Sequence, residues 1–286
     1  MPLPEWVKTQ IRNIKTTQNY LKNRRLNTVC ETLRCPNRSF CYSQKAATFM
    51  ILGEICTRGC KFCNAIKGLP TPVDKEEPAR IAMAVKELSL KYVVITSPTR
   101  DDLKDGGAEH FAMTVEKIRL LNPNTFTEIL VPDFKGQINA IEKTVNSDTA
   151  VFAHNIEVVK RLYGHVRDGD YEKSLKVLRK AKEIRPSIIT KSGFMLGLGE
   201  SIDEIRKTLE DLKTSYCDIV TVGQYLQPSK KALPVVEYIK PEVFDIIAEL
   251  ALEIGFKVVL SAPLVRSSTR AYEAYQLVKE GRYGKL

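Results

Sequence analysis

The sequence predicts an α/β fold, a partial TIM-type (β/α) barrel of six to seven parallel strands with N- and C-terminal extensions. Three observations point there. Apolar runs of strand length recur along the chain, amphipathic segments stand between them, and 286 residues suit one such barrel. The runs fall at residues 48–52 (TFMIL), 92–96 (YVVIT), 126–131, 150–153, 188–196, 219–225 and 256–260. They are nearly continuous in apolar residues, as strands covered on both faces by helices must be. Residues 80–91, 110–121, 171–184, 202–212 and 241–254 carry an apolar position every third or fourth residue, which gives each a buried helical face. No Gly-x-Gly-x-x-Gly follows the first strand, which weakens a dinucleotide-binding open sheet. The expected organisation is a helical arm (about 4–26) and a cysteine-bearing segment within 1–45, the barrel over 46–262, and a tail over 263–286.

Composition bounds the function. A chain of this length buries about three quarters of its unfolded surface and needs no staples for a core. The N-terminal stretch is polar and basic, without an apolar run for a signal peptide or a membrane span. The expectation is a cytoplasmic protein with reduced thiols, so its 7 cysteines point to metal or catalysis before disulfides. The net charge of +10, from 44 Lys and Arg against 34 Asp and Glu, suits an acidic partner. Nucleic acid and an acidic carrier protein both answer that description. The charge is spread along the chain, with no basic run interleaved with aromatics and no RNA-binding accessory domain, so a nucleic-acid module is disfavoured.

Six cysteines fall into two triplets. Cys56, Cys60 and Cys63 form C-x3-C-x2-C in CTRGCKFC, directly after the first strand, and Cys30, Cys35 and Cys41 form C-x4-C-x5-C just before it. Three thiolates on one loop hold three irons of a cubane cluster and leave the fourth open to a chelating substrate. Loops after barrel strands also form the active-site face of such folds. Zinc is the competing reading, but closed zinc sites take four ligands in paired spacings, and both triplets are odd. Cys217 stands alone before a strand and reads as a small core residue. His110 and His165, expected on helices, and His154 at a strand end read as structural residues.

CTRGCKFC matches the C-x3-C-x-aromatic-C motif of radical S-adenosylmethionine (SAM) enzymes. With the upstream triplet and the stretches TRDDLKDGGAEHF, VFAHNIE, TKSGFMLGLGE, VGQYLQP, LPVVEY and PLVRSS, the chain resembles the lipoyl synthase family over about residues 26–270. The resemblance implies insertion of two sulfur atoms at C6 and C8 of an octanoyl chain borne on a carrier-domain lysine. It places a SAM-cleaving 4Fe–4S cluster on Cys56, Cys60 and Cys63. An auxiliary, sulfur-donating 4Fe–4S cluster falls on Cys30, Cys35, Cys41 and the hydroxyl of Ser268 in RSS. Read alone, RSS is a polar loop after a strand. Thr269 stands where the family usually has tyrosine, Tyr42 where it often has tryptophan, and Lys45-Ala46-Ala47 replaces a Gly-Thr-type pair.

For SAM contacts the resemblance and barrel logic together suggest Phe62, Thr96, Ser97, Asn155, Lys191, Glu200 and Gln224, with Asp102 nearby in the chain. Gly106-Gly107 reads either as a helix-entry turn or as a backbone cradle, and the Leu196–Gly199 stretch as a weak adenine contact. Implied partners are octanoylated lipoyl-carrier domains, a low-potential electron donor and an iron–sulfur carrier that rebuilds the auxiliary cluster, with no nucleic acid and no membrane. A biotin-synthase-like sulfur inserter is the runner-up, disfavoured by the upstream triplet and RSS.

Overall fold

The computed structural model describes residues 4–7, 21, 24, 26–32, 35, 37 and 48–286. Cys41 and most of the expected helical arm lie outside the described residues. The chain divides into two compact units, one comprising Thr9–Gly59 and Asn64–Ala150, the other Met1–Lys8, Cys60–Cys63 and Val151–Leu286.

The N-terminal unit contains α1 (Val29–Thr32), β1 (Thr48–Met50), β2 (Ile55–Cys56), β3 (Ile66–Lys67), α2 (Glu77–Glu87), β4 (Tyr92–Thr96), α3 (Ala108–Leu121), β5 (Phe126–Leu130) and α4 (Ile138–Val145). Its main strands run β1-β4-β5, all parallel, and β2 and β3 form a separate parallel pair. Pro78 lies in the first turn of α2, where the missing N–H costs nothing, and Ile81, Ala82, Ala84 and Val85 form its buried stripe.

The exit from β1 is tightly specified. Leu52 takes a left-handed φ of 66°. Its N–H donates to Glu77 Oε2 at 2.8 Å, which His110 Nε2 also meets at 2.8 Å, and its carbonyl accepts from Arg100 at 2.8 Å. Gly107, at φ 93°, opens α3, and an added Cβ there would lie 2.3 Å from Leu52 Cδ1. Asp105 accepts from the N–H groups of Gly107 and Glu109. Gly106-Gly107 is therefore a helix-entry turn, and His110 is a structural partner of Glu77.

The C-terminal unit contains β6 (Val151–Ala153), α5 (Tyr171–Ile184), β7 (Ile189–Leu196), α6 (Ile202–Thr214), β8 (Ile219–Gln224), α7 (Pro241–Ile254), β9 (Val258–Ser261), α8 (Ala271–Lys279) and β10 (Gly284–Lys285). The strands run β6-β7-β8-β9-β10, all parallel. Asp170 caps α5, and Ser201 with Glu204 forms a capping box on α6, so both helices begin where their sequences supply an oxygen acceptor.

All seven apolar runs are strands. Beyond them stands β10, whose two residues pair with Val258 and Val259. Among the described residues β10 has β9 as its strand neighbour, and β1 has β4 beside an isolated bridge to Thr28. His165 lies in a turn rather than on a helix. Cys217 is buried in the core, its thiol pushed upward first by that burial and then by neighbouring Asp218. No helix among the described residues is long and apolar enough to cross a membrane.

Asp218, at the entry to β8, ties the strand ends. Its carboxylate meets Lys182 at 2.6 Å and Lys257 at 2.8 Å, and accepts from the Thr190 N–H at 3.0 Å. Burial alone would raise this carboxyl, but the two lysines outweigh it and hold it below the usual range. Asp218→Asn is expected to cost about 2–3 kcal/mol, at the low edge for a buried pair because Lys257 is partly solvated. A depressed native pKa stabilises above the unfolded value of about 4 and loses that contribution as pH falls through the native one. Denaturant titrations should therefore show a constant gap between variant and wild type near neutrality that narrows in acid.

Candidate active site

In the N-terminal unit, Cys56 ends β2 and the chain turns at Thr57-Arg58. Thr57 is laced to the loop after β4: its N–H and hydroxyl both donate to the Thr99 carbonyl at 3.0 Å, and the hydroxyl accepts from Asp101 N–H. Arg58 lies between two carboxylates. Its Nε and Nη2 donate to Asp101 at 2.8 and 3.1 Å, and Nη1 and Nη2 to Asp133 at 2.7 and 2.6 Å. Burial works against this guanidinium's charge, but the bonds to Asp133 and Asp101 outweigh it and raise its pKa further. The Arg58 N–H itself donates to Cys56 Sγ at 3.4 Å. In the C-terminal unit, Cys60 Sγ accepts from Asp168 N–H at 3.4 Å, Phe62 packs against the apolar core, and Leu233 N–H donates to Lys61. Tyr225 is pushed up to about 12, mainly by burial and also by neighbouring Cys63.

Among the suggested SAM residues, two carry a buried polar atom that the described residues leave open. Ser97 Oγ and Asn155 Oδ1 are buried without a hydrogen-bond partner among the described residues, a state native proteins rarely leave unexplained. Asn155 is fixed by its other groups: Nδ2 donates to Glu157 at 3.1 Å and to Ser267 Oγ at 2.6 Å, and its carbonyl accepts from Arg167. Four other residues serve the fold directly. Thr96 Oγ1 donates to Leu130 O; Glu200 accepts from Gly197 and Leu198 N–H; Gln224 donates to Tyr225 and Glu237 carbonyls and accepts from Ile239 N–H. Asp102 pairs with Arg100. Lys191 is buried in β7, opposite Ala153 and Ile219. Sequence reasoning did not single out Arg58, Asp133, Glu157 or Arg167. Glu157, at φ 65°, has its carboxyl pushed upward by burial against the opposing charge of Arg167.

The RSS segment is a turn closed on itself. Thr269 N–H donates to Arg266 O at 2.8 Å, and Arg266 N–H donates to Thr269 Oγ1 at 2.8 Å. Thr269 therefore closes this turn through both its backbone N–H and its hydroxyl. Ser267 is engaged by Asn155, while half-buried Ser268 has no side-chain partner among the described residues. Cys30 is buried and Cys35 half-buried; Cys41 lies outside the described residues.

The donor set fits iron–sulfur clusters. Every described cysteine is a free thiol, and Cys56 and Cys60 each accept a backbone N–H, the kind of bond that stabilises cluster thiolates. Among the described residues no three His, Cys, Asp or Glu side chains already converge as a metal cage.

Residues 50–212 match the Radical SAM superfamily. A lipoyl synthase of Caldicellulosiruptor saccharolyticus is 52% identical over 96% of this chain and 98% of its own length. One from Alkaliphilus metalliredigens is 50% identical over 97% of each chain, and lipoyl synthase 2 of a Nostoc species is 48% identical over 95% of each. Among solved structures, a methylornithine synthase aligns with TM-score 0.58 at 15% identity, over 82% of this chain and 69% of that one. An FeFe-hydrogenase maturase aligns with TM-score 0.58 at 11% identity, over 79% and 54%. These likenesses show the fold, a partial (β/α) barrel of parallel strands. The cysteine loop, the open polar atoms of Ser97 and Asn155, and identity of about half the residues over nearly the whole length lead to one assignment: the chain belongs to the lipoyl synthase family of radical SAM enzymes.

Proposed function

We propose that this chain inserts two sulfur atoms, at C6 and C8, into an octanoyl chain held in amide linkage on a lysine of a lipoyl-carrier domain. When bound, the two 4Fe–4S clusters and SAM supply the electron, the hydrogen-abstracting 5′-deoxyadenosyl radical and the sulfur. Cys56, Cys60 and Cys63 hold the first cluster, leaving one iron for SAM to chelate. Cys30, Cys35, Cys41 and Ser268 hold the auxiliary one. Ser97 Oγ and Asn155 Oδ1 orient SAM through their open polar atoms, and Phe62 offers it an apolar wall. Thr96, Glu200 and Gln224 fix the backbone around it, and buried Lys191 completes the set.

The division of labour follows the sequence: 1–45 for the auxiliary thiols, 46–262 for SAM, 263–286 for the serine ligand. Partners are octanoylated carriers, a low-potential electron donor and an iron–sulfur carrier that rebuilds the auxiliary cluster, all in the cytoplasm, with no nucleic acid or membrane partner.

The supporting observation is the turn that occupies Ser267 and Thr269 and leaves the Ser268 hydroxyl open, in a chain with two cysteine triplets. The test is an anaerobic reaction of the chain with an octanoyl-lysyl peptide, SAM and dithionite. The expected result is brown protein with about eight irons per chain, 5′-deoxyadenosine release and sulfur gain on the peptide. Colourless zinc protein, or 5′-deoxyadenosine without sulfur gain, would overturn the reading.

A further inference from the structure

Arg58 stands within the C-x3-C-x2-C stretch, yet its side chain is engaged by carboxylates rather than by a thiol. Only 13% of that side chain is exposed, and all three guanidinium nitrogens are used, four bonds in total, by Asp101 and Asp133. The two carboxylates are themselves held. Asp133, with a side chain 1% exposed, also accepts from Lys135 N–H at 2.9 Å. Asp101 accepts at its carbonyl from Lys135 Nζ at 2.9 Å and donates its N–H to Thr57 at 3.0 Å. The fork thus joins the loops after β2, β4 and β5 without filling any part of the apolar core. A planar guanidinium bound along two edges has one orientation, and the backbone of its residue follows it. That backbone carries the N–H donated to Cys56 Sγ at 3.4 Å.

We infer that Arg58 is a positioning residue for the SAM-cleaving cluster: its fork to Asp101 and Asp133 fixes the loop so that the Arg58 N–H is held on the Cys56 sulfur. This rests on the assignment of Cys56, Cys60 and Cys63 proposed above. A hydrogen bond to a cluster sulfur stabilises the more negative, reduced cluster, so it raises the reduction potential. Loss of the fork loosens the N–H and lowers that potential. Lysine keeps the charge but not the planar fork, which separates orientation from charge. Glutamine also leaves the two carboxylates uncompensated, and their negative charge disfavours reduction further.

The test is an EPR-monitored redox titration of the reconstituted full-length chain, with the first cluster's signal identified by its loss in Cys60→Ala. Arg58→Lys is expected to fold, to retain both clusters and to show a lower midpoint potential. The shift expected is up to about tenfold in the one-electron equilibrium constant, which is 59 mV. Arg58→Gln should shift it further in the same direction, and Asp133→Asn should shift it least, because Asp101 still holds one edge of the fork. Wild-type potentials in both Arg58 variants, with the Cys60-dependent signal intact, would overturn the inference. So would loss of folded helical signal together with both clusters in all three variants, because the fork would then brace the fold as a whole. A wild-type chain without any Cys60-dependent signal would instead remove the assignment of the triplet on which the inference stands.

Discussion

Cys60→Ala is expected to abolish 5′-deoxyadenosine formation while the auxiliary cluster still assembles. On the proposed assignment Cys60 supplies one of three thiolates to a site that must keep one iron open, so its loss leaves the cluster short of a ligand. Its sulfur is already oriented by the Asp168 N–H. Losing a group that merely orients a ligand costs about 10–100-fold in comparable sites, and losing the ligand itself should exceed about 100-fold. Cys217→Ala is the matched control, since that thiol is buried in the core and its Sγ donates to the Ile219 carbonyl at 3.1 Å. It should reduce stability by about 1 kcal/mol and leave SAM cleavage in place. Reductive SAM cleavage by Cys60→Ala at the wild-type rate would reassign the triplet.

Ser268→Ala is expected to separate the two halves of the reaction. SAM cleavage should continue, because the other cluster performs it, while sulfur transfer to the octanoyl chain should fall by about 100-fold or more with the auxiliary cluster incomplete. Ser268→Cys is sharper. Thiolate holds iron more firmly than a hydroxyl does, so the cluster should form yet release sulfur poorly, and the reaction should stall after the first C–S bond. The adjacent residue differs on structural grounds. Ser267 Oγ accepts from Asn155, so Ser267→Ala removes one hydrogen bond to a proposed SAM residue and should raise the KM for SAM more than it alters sulfur transfer. Product mass and 5′-deoxyadenosine, followed together, distinguish these outcomes; equal and small effects at both serines would return RSS to a polar loop.

Most of the scaffold was legible because burial on two faces forces continuous apolar strands, and seven such runs were present. What escaped lacked that signal. β10 is Gly284-Lys285, held by register against β9 after α8 returns the chain, and nothing in these two residues announces a strand. α4 and α8 are short, and α4 follows a left-handed pair, Phe134 and Lys135, that periodicity does not reveal. The cysteine spacing was legible because ligand number is written in sequence. The Arg58 fork was not, because Asp101 and Asp133 are far from it along the chain and only the fold brings them to it. Glu200 and Gln224 show the converse case. Polar residues at strand ends suggest ligand contacts, yet their hydrogen-bonding groups are taken by local backbone.

The exit from β1 has a consequence for how this sequence is free to drift. Leu52 and Gly107 occupy one another's space: a methyl at position 107 would fall 2.3 Å from the leucine, and the glycine's φ of 93° independently disfavours any side chain. Shrinking residue 52 lifts the first obstacle and leaves the second, so position 107 stays glycine even in backgrounds where its neighbour has changed. Position 52 is constrained differently: its N–H and carbonyl are what Glu77 and Arg100 grip, while its left-handed φ of 66° and its burial limit the side chains it accepts. Substitutions at the two positions are therefore asymmetric: a smaller residue at 52 meets no clash while 107 is glycine, and no route to a new residue at 107 passes through 52 alone.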